Sequence, residues 1–280
     1  MNALTIVFAA GILLVLGAFF GILLTFAQKK LHVPKDEKTE LIEAALPGVN
    51  CGACGEAGCA AYAAKIVKGE AAVNLCPVGG QAVSDRIAEI MGIEKKITKP
   101  LTARIHCQGG SDKTTTKHIY NGPKTCKAAA MINGGPKVCS FGCIGYGDCA
   151  AVCPFDAITM SEKHLPVVDP EKCTGCGICV KECPKNIISL LEKEKEVYVK
   201  CSNKEKGATM RHGCKVGCIA CNLCVAKACK IVFQDNPKID SAIDLKDFLA
   251  QIDYSLCIDC GKCAEVCPQK VIQPKSGAAI

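Results

Sequence analysis

The residues with the most chemistry to offer are the 24 cysteines in this chain of 280 residues. Two runs share one spacing: Cys173-x2-Cys176-x2-Cys179-x3-Cys183-Pro184 and Cys257-x2-Cys260-x2-Cys263-x3-Cys267-Pro268. Each sets three thiolates on one tight loop and a fourth, followed by proline, on the chain as it leaves. Three sulfurs at that pitch wrap a [4Fe–4S] cubane, and the departing fourth ligates the neighbouring cluster. Zinc sites pair two Cys-x2-Cys knuckles into one tetrahedron, which neither run resembles.

Each run has a less regular mate upstream: Cys139-x3-Cys143-x5-Cys149-x3-Cys153-Pro154, and Cys218-x2-Cys221-x2-Cys224-x4-Cys229 with Lys230 where proline is expected. Exchange of the fourth ligand between mates predicts four clusters. One is held by Cys139, Cys143, Cys149 and Cys183, and the next by Cys173, Cys176, Cys179 and Cys153. The third is held by Cys218, Cys221, Cys224 and Cys267, and the fourth by Cys257, Cys260, Cys263 and Cys229. The longer loops of the mates leave individual assignments open there. Cys51, Cys54, Cys59 and Cys76-Pro77, interleaved with Gly52, Gly55 and Gly58, form a separate group in which glycines let backbone approach a cluster. It reads as one further [4Fe–4S] site, with zinc as the alternative at that spacing.

These quartets leave Cys107, Cys126, Cys201 and Cys214, the number one more cubane needs; the alternatives are buried free thiols, or Cys214 standing in for Cys218. The cofactor expectation is five [4Fe–4S] clusters, and six if these four meet. His106 and His212 lie beside Cys107 and Cys214, where a supporting role is expected ahead of iron ligation. Glycine fingerprints for dinucleotides or phosphates are missing, as are paired acid–base carboxylates and Ser-His-Asp sets, so no catalytic residue is predicted. Electron transfer needs none.

The elements that must position these cysteines are short. No Trp and only 13 Phe and Tyr are present, four of them before residue 28, so large rings cannot fill the interior. Ala3–Ala27 is uncharged and apolar, long enough to span a bilayer core of roughly 30 Å as one helix. Lys29, Lys30, His32, Lys35 and Lys38 follow it, which predicts a single pass with the bulk of the chain on the cytoplasmic side. A cleaved signal fits badly, having neither a basic leader nor so long an apolar run. Helices are expected over Pro34–Ala45, Ala60–Val67 and Gln81–Met91, with Glu94–Pro100 as a linker. Leu191–Lys206 is charge-dense and reads as solvated. An apolar stub precedes each regular run, Val167-Val168 before Cys173 and Ile252 before Cys257, which marks a duplicated module.

The expected class is α+β. A transmembrane anchor (1–28) is followed by a small, mainly helical [4Fe–4S] domain (34–93). A linker with Cys107 and Cys126 (94–133) leads to a first ferredoxin-like module (134–190), then a connector with Cys201 and Cys214 (191–216) to a second (217–280). The net charge of +7 suits an acidic partner or an anionic membrane and does not demand nucleic acid.

These motifs, CGACGEAGC at Cys51–Cys59 with Cys76-Pro77, RIHCQGG (Arg104–Gly110), GGPKVCSFGCIGYGDCAAVCPFDAI (Gly134–Ile158) and CTGCGICVKECP (Cys173–Pro184), together resemble the B-subunit family of the Rnf complexes. These are membrane ferredoxin:NAD+ oxidoreductases of anaerobic and nitrogen-fixing bacteria. The resemblance covers essentially the whole chain, and the long cysteine-rich C-terminal half is similar to the clostridial type. It implies a subunit that accepts electrons from soluble ferredoxin and passes them to flavin- and NAD+-binding partner subunits, in a complex that exports Na+ or H+. The alternatives are a polyferredoxin-like subunit of another membrane complex such as a hydrogenase, and a zinc-structural or metal-storage protein.

Overall fold

The computed structural model describes residues 3–30, 36–97, 99–233 and 240–274. Helix α1 (Ala3–Lys30) is uninterrupted, and no residue of its 18-residue window Ala10–Ala27 is buried inside the chain. Among the described residues it is the one helix long and apolar enough to cross a membrane. His32, Pro34 and Lys35, expected on its flank and at the start of the next helix, lie outside the described residues.

Three helices follow: α2 (Glu37–Ala45), α3 (Cys59–Val67) and α4 (Gly80–Met91). Asp36 caps α2, its carboxylate accepting from the Lys38 N–H at 3.1 Å. Gly92, in the left-handed region at φ 68°, ends α4. Ile42, Tyr62, Ile66 and Ile87 from the three helices form one small core with Cys76. The Tyr62 hydroxyl donates to the Ala72 carbonyl at 2.7 Å and accepts from the Leu75 N–H at 3.0 Å, tying the Cys76 loop to α3. Tyr62→Phe leaves both backbone groups unpaired in a buried place, so the segment should lose about 1–3 kcal/mol of stability, read as a lower unfolding midpoint in denaturant.

The remainder is built twice on one plan. In the first unit β1 (Leu101–Ile105) pairs antiparallel with β4 (Ile188–Glu192), Leu101 opposite Glu192 and Ile105 opposite Ile188. Between them lie α5 (Cys126–Met131), α6 (Asp148–Ala151), the hairpin β2 (Ile158–Met160) and β3 (Pro166–Val168), and α7 (Ile178–Glu182). In the second unit Val199 bridges Ile272, the Lys200 N–H donates to Val271 at 2.6 Å and the Gln273 N–H to Tyr198 at 2.8 Å. Between these lie α8 (Gly207–Gly213), a π-helical turn (Val225–Cys229), α9 (Lys230–Val232), the hairpin β5 (Ile243–Lys246) and β6 (Leu249–Ile252), and α10 (Lys262–Glu265).

The expectation that Leu191–Lys206 is simply solvated is therefore corrected. Val197, Val199 and Cys201 alternate along an extended stretch and bury themselves in the core of the second unit, with Tyr198 and Lys200 half-buried between them. Asp259, 6% exposed, fastens this stretch to the regular run by accepting from the Val197 N–H at 2.9 Å and the Glu196 N–H at 3.3 Å.

The cysteine spacing explains the short helices. In Cys-x3-Cys the intervening residues form one helical turn, as in α6, α7 and α10. Gly177 and Gly261 start two of these turns at φ 75° and 79°, and Asn222 takes the matching place at φ 63°. Cys224 and Cys229 have one residue more between them, and the π-helical turn takes it up.

Candidate metal centres

All 24 cysteines carry free thiols, and the structure gathers them into quartets. Cys51, Cys54 and Cys59 surround Cys76, whose thiol burial pushes up and the neighbouring sulfurs push further. Around Cys179, raised to about 12 mainly by burial, stand Cys176, Cys173 and Cys153. Cys218, Cys221, Cys224 and Cys267 line one small cavity, and Cys229, Cys257, Cys260 and Cys263 line another. In these four groupings the structure brings together the cysteines that spacing assigns to one site.

Two groupings differ. Cys139 lies with Cys107, Cys201 and Cys214 around one cavity, while Cys126 lies with Cys143, Cys149 and Cys183. The predicted sets Cys139/Cys143/Cys149/Cys183 and Cys107/Cys126/Cys201/Cys214 differ from these groupings by exchange of Cys126 for Cys139. The cause is local. Asp148, opening α6 just before Cys149, accepts from the Cys126 and Lys127 N–H groups at 2.8 and 3.1 Å, which holds the start of α5 against the Cys149 turn. Cys139 meanwhile shares with Cys214 the five-residue pattern Cys-x2-Gly-Cys: Cys139-Ser-Phe-Gly142-Cys143 and Cys214-Lys-Val-Gly217-Cys218.

That pattern is the signal in the residues that ferredoxin spacing alone does not use, because the two halves match pair for pair. Cys107 follows β1 as Cys201 follows Val199. The Cys143 N–H donates to Cys107 Sγ at 3.3 Å, and the Cys218 N–H donates to Cys201 Sγ at 3.4 Å. Cys139 accepts from the Phe141 and Gly142 amides, and Cys214 from those of Val216 and Gly217. The central quartet is therefore two equivalent pairs, one from each repeat. Gly109 permits the closeness, since a Cβ there would sit 2.8 Å from Thr114 Cγ2 and 3.3 Å from Cys214 Sγ.

Neither histidine adds a ligand to a quartet here. His106 is half-buried, with Nδ1 against the Val199 carbonyl at 2.7 Å and Nε2 against Ser189 Oγ at 2.6 Å, so both ring nitrogens are engaged and the two repeats are cross-linked. His212 is exposed.

The quartets fit a multi-iron cluster better than a single ion. A tetrahedral zinc draws its sulfurs to about 2.3 Å from one centre. Among the described residues no three Cys, His, Asp or Glu side chains close that tightly. Backbone amides meet the sulfurs throughout: Gly79 to Cys76, Ala103 to Cys173, Ala157 to Cys153, Ala242 to Cys229 and Asp259 to Cys257, at 3.1–3.4 Å. Such donors stabilise charge on thiolates and on cluster sulfur. In the central cavity the Asn203 amide nitrogen is buried and has no partner in the protein, a donor aimed at a group larger than the side chains present.

Fold and site together define an iron–sulfur protein of the ferredoxin-like, electron-carrying class. Family models agree: an Fe-S cluster family matches residues 46–78, a 4Fe-4S dicluster domain 141–187 and a 4Fe-4S binding domain 250–273. Curated relatives span nearly the whole chain. The B subunit of the Na+-translocating ferredoxin:NAD+ oxidoreductase complex of Acetobacterium woodii is 46% identical, covering 97% of this chain and 78% of its own. The B subunit of the ion-translocating oxidoreductase complex of Methanosarcina acetivorans is 40% identical over 92% of this chain and 94% of its own. The proton-translocating counterpart of Clostridium ljungdahlii is 36% identical over 96% and 92%. The chain belongs to this family, the B subunits of the ion-translocating oxidoreductase, or Rnf, complexes.

Proposed function

We propose that this chain is a membrane-tethered wire of six [4Fe–4S] clusters, taking electrons from reduced ferredoxin for a complex that reduces NAD+ and exports Na+ or H+. The observation that carries this is the order of the quartets. Cys176 lies within electrostatic reach of Cys51, and Cys179 of Cys149. The Cys143 amide touches Cys107, the Cys218 amide touches Cys201, and Cys263 lies within reach of Cys224. The succession therefore runs from the quartet of Cys51 through those of Cys173, Cys143, Cys107 and Cys218 to that of Cys257, with each set next to the following one.

Bound there, the clusters supply one-electron carriers; everything else is done by the chain. Ligands would be Cys51, Cys54, Cys59 and Cys76; Cys153, Cys173, Cys176 and Cys179; and Cys126, Cys143, Cys149 and Cys183. The other three sets would be Cys107, Cys139, Cys201 and Cys214; Cys218, Cys221, Cys224 and Cys267; and Cys229, Cys257, Cys260 and Cys263. Burial raises some of these thiols, Cys201 and Cys224 to about 12, so metal must displace protons at those positions to bind. Helix α1 would anchor the succession to the bilayer with the cysteine-rich bulk on the cytoplasmic side, as its basic C-terminal flank favours.

At the far end Cys221 and Cys260 are exposed, which puts the last two quartets at the surface where a soluble donor meets them. The basic surplus is concentrated rather than spread. Lys and Arg outnumber Asp and Glu eight to two over 94–133 and seven to four over 191–216, against nineteen to twenty-one elsewhere. Such a basic surplus speeds encounter with an acidic ferredoxin in a salt-sensitive way. The test is rapid mixing of the anaerobically purified, oxidised chain with reduced ferredoxin. Iron–sulfur absorbance should bleach fast at low ionic strength and progressively more slowly as salt rises. No bleaching by ferredoxin in protein that dithionite does bleach would refute this reading.

A further inference from the structure

Among the described residues Lys137 is the sole lysine or arginine that is buried, at 9% exposed. Its Nζ donates to the Gly109 carbonyl at 2.9 Å, and its backbone is pinned on both sides, Lys117 N–H to Pro136 at 2.8 Å and Val138 N–H to Thr115 at 2.8 Å. No Asp or Glu pairs with it among the described residues. A buried ammonium without an anion is costly and normally avoided. The anions on offer are sulfurs. Lys137 lines the cavity of Cys107, Cys139, Cys201 and Cys214. Lys185, half-buried, reaches the same seam from the other side. Its Nζ donates to the Ser140 carbonyl at 2.6 Å, and it lies within reach of Cys139 and Cys183.

The outermost quartet carries mixed charge, with Lys195 donating from Nζ to the Cys257 carbonyl at 2.6 Å. Asp259, buried between Cys257 and Cys260, turns its carboxylate to backbone amides with no cation paired to it among the described residues. The repeats differ here as well: the position two before Cys139 is Lys137, and its counterpart before Cys214 is the exposed His212.

Resting on the wire reading above, we propose that Lys137 sets the potential of the central pair of sites, its unpaired ammonium taking their sulfur ligands as counter-ions and making the middle of the wire the place where an electron rests. Reduction adds one electron from the ferredoxin-class donor, and so one unit of negative charge, with no proton taken up. A fixed buried cation stabilises that product.

The test is an EPR-monitored redox titration of the full chain, native and variant, with iron measured on the same samples. With Lys137→Gln, which keeps a donor for Gly109, iron should be unchanged. At the ambient potential that half-reduces the highest-potential native signal, the reduced-to-oxidised ratio should fall about tenfold, about 59 mV for one electron. Lys137→Arg should stay close to native. Superimposable titrations of Lys137→Gln and native protein, with iron retained, overturn the proposal. Loss of iron from Lys137→Gln alone supports a charge requirement, and loss from Lys137→Arg as well overturns it, because shape and not charge would then matter. A native chain without iron would instead strike at the wire reading itself, and is detected before any variant is made.

Discussion

Cys126→Ser and Cys183→Ser should remove one and the same cluster, and Cys139→Ser and Cys201→Ser a different one. Each substitution should lower iron from about twenty-four to about twenty per chain, one cubane's worth. The pairing is what discriminates. Cys126 reaches the Cys143–Cys149–Cys183 set because the Asp148 carboxylate holds the start of α5 through two backbone amides. Cys139 is turned the other way by its own Cys-x2-Gly-Cys loop, toward Cys107 and Cys214. In an EPR titration the first two variants should lack one signal in common, and the second two another. If Cys139→Ser and Cys183→Ser lost the same signal, regular ferredoxin ligation would hold and the exchange of Cys126 for Cys139 would be wrong.

The second large effect is a cut in the middle. Cys201→Ser should bring ferredoxin-dependent NAD+ reduction by the assembled complex to background while the protein keeps most of its colour. The central quartet is where the two repeats meet, with Cys107 and Cys139 from one and Cys201 and Cys214 from the other. In the described structure the quartet of Cys143 and that of Cys218 are linked through it, each by one backbone amide on a sulfur of the centre. Dithionite should still reduce both halves. Ferredoxin should reduce the half it docks on at a native rate and leave the other oxidised. Native turnover in a Cys201→Ser complex shown to lack the cluster would mean that electrons bypass the centre.

Much of this was legible in the residues, and the reasons are physical. Cys-x2-Cys-x2-Cys-x3-Cys-Pro fixes a local loop, so the Cys173 and Cys257 runs could be read without knowing the fold. Apolar spacing likewise marked α2, α3 and α4 to within a few residues of Glu37–Ala45, Cys59–Val67 and Gly80–Met91. What spacing could not supply was any partner chosen by a long-range contact. Cys126 and Cys149 are brought together by Asp148, and Cys107 and Cys201 by strands that each close on a distant segment, Ile188 and Ile272. The charged stretch around Val197 misled because its Lys and Glu residues mask a period-two alternation of Val197, Val199 and Cys201. The clearest missed clue was internal: the shared Cys-x2-Gly-Cys in the two repeats gives Cys139 and Cys214 the same part.

The central claim is that the buried sulfurs are held apart for clusters and ordered into one continuous series. Iron and acid-labile sulfide analysis of the anaerobically purified full chain tests it most directly. About twenty-four of each per chain, with no significant zinc, is the predicted result. Near-stoichiometric zinc without sulfide, or iron-free protein stabilised by disulfides, would contradict the account.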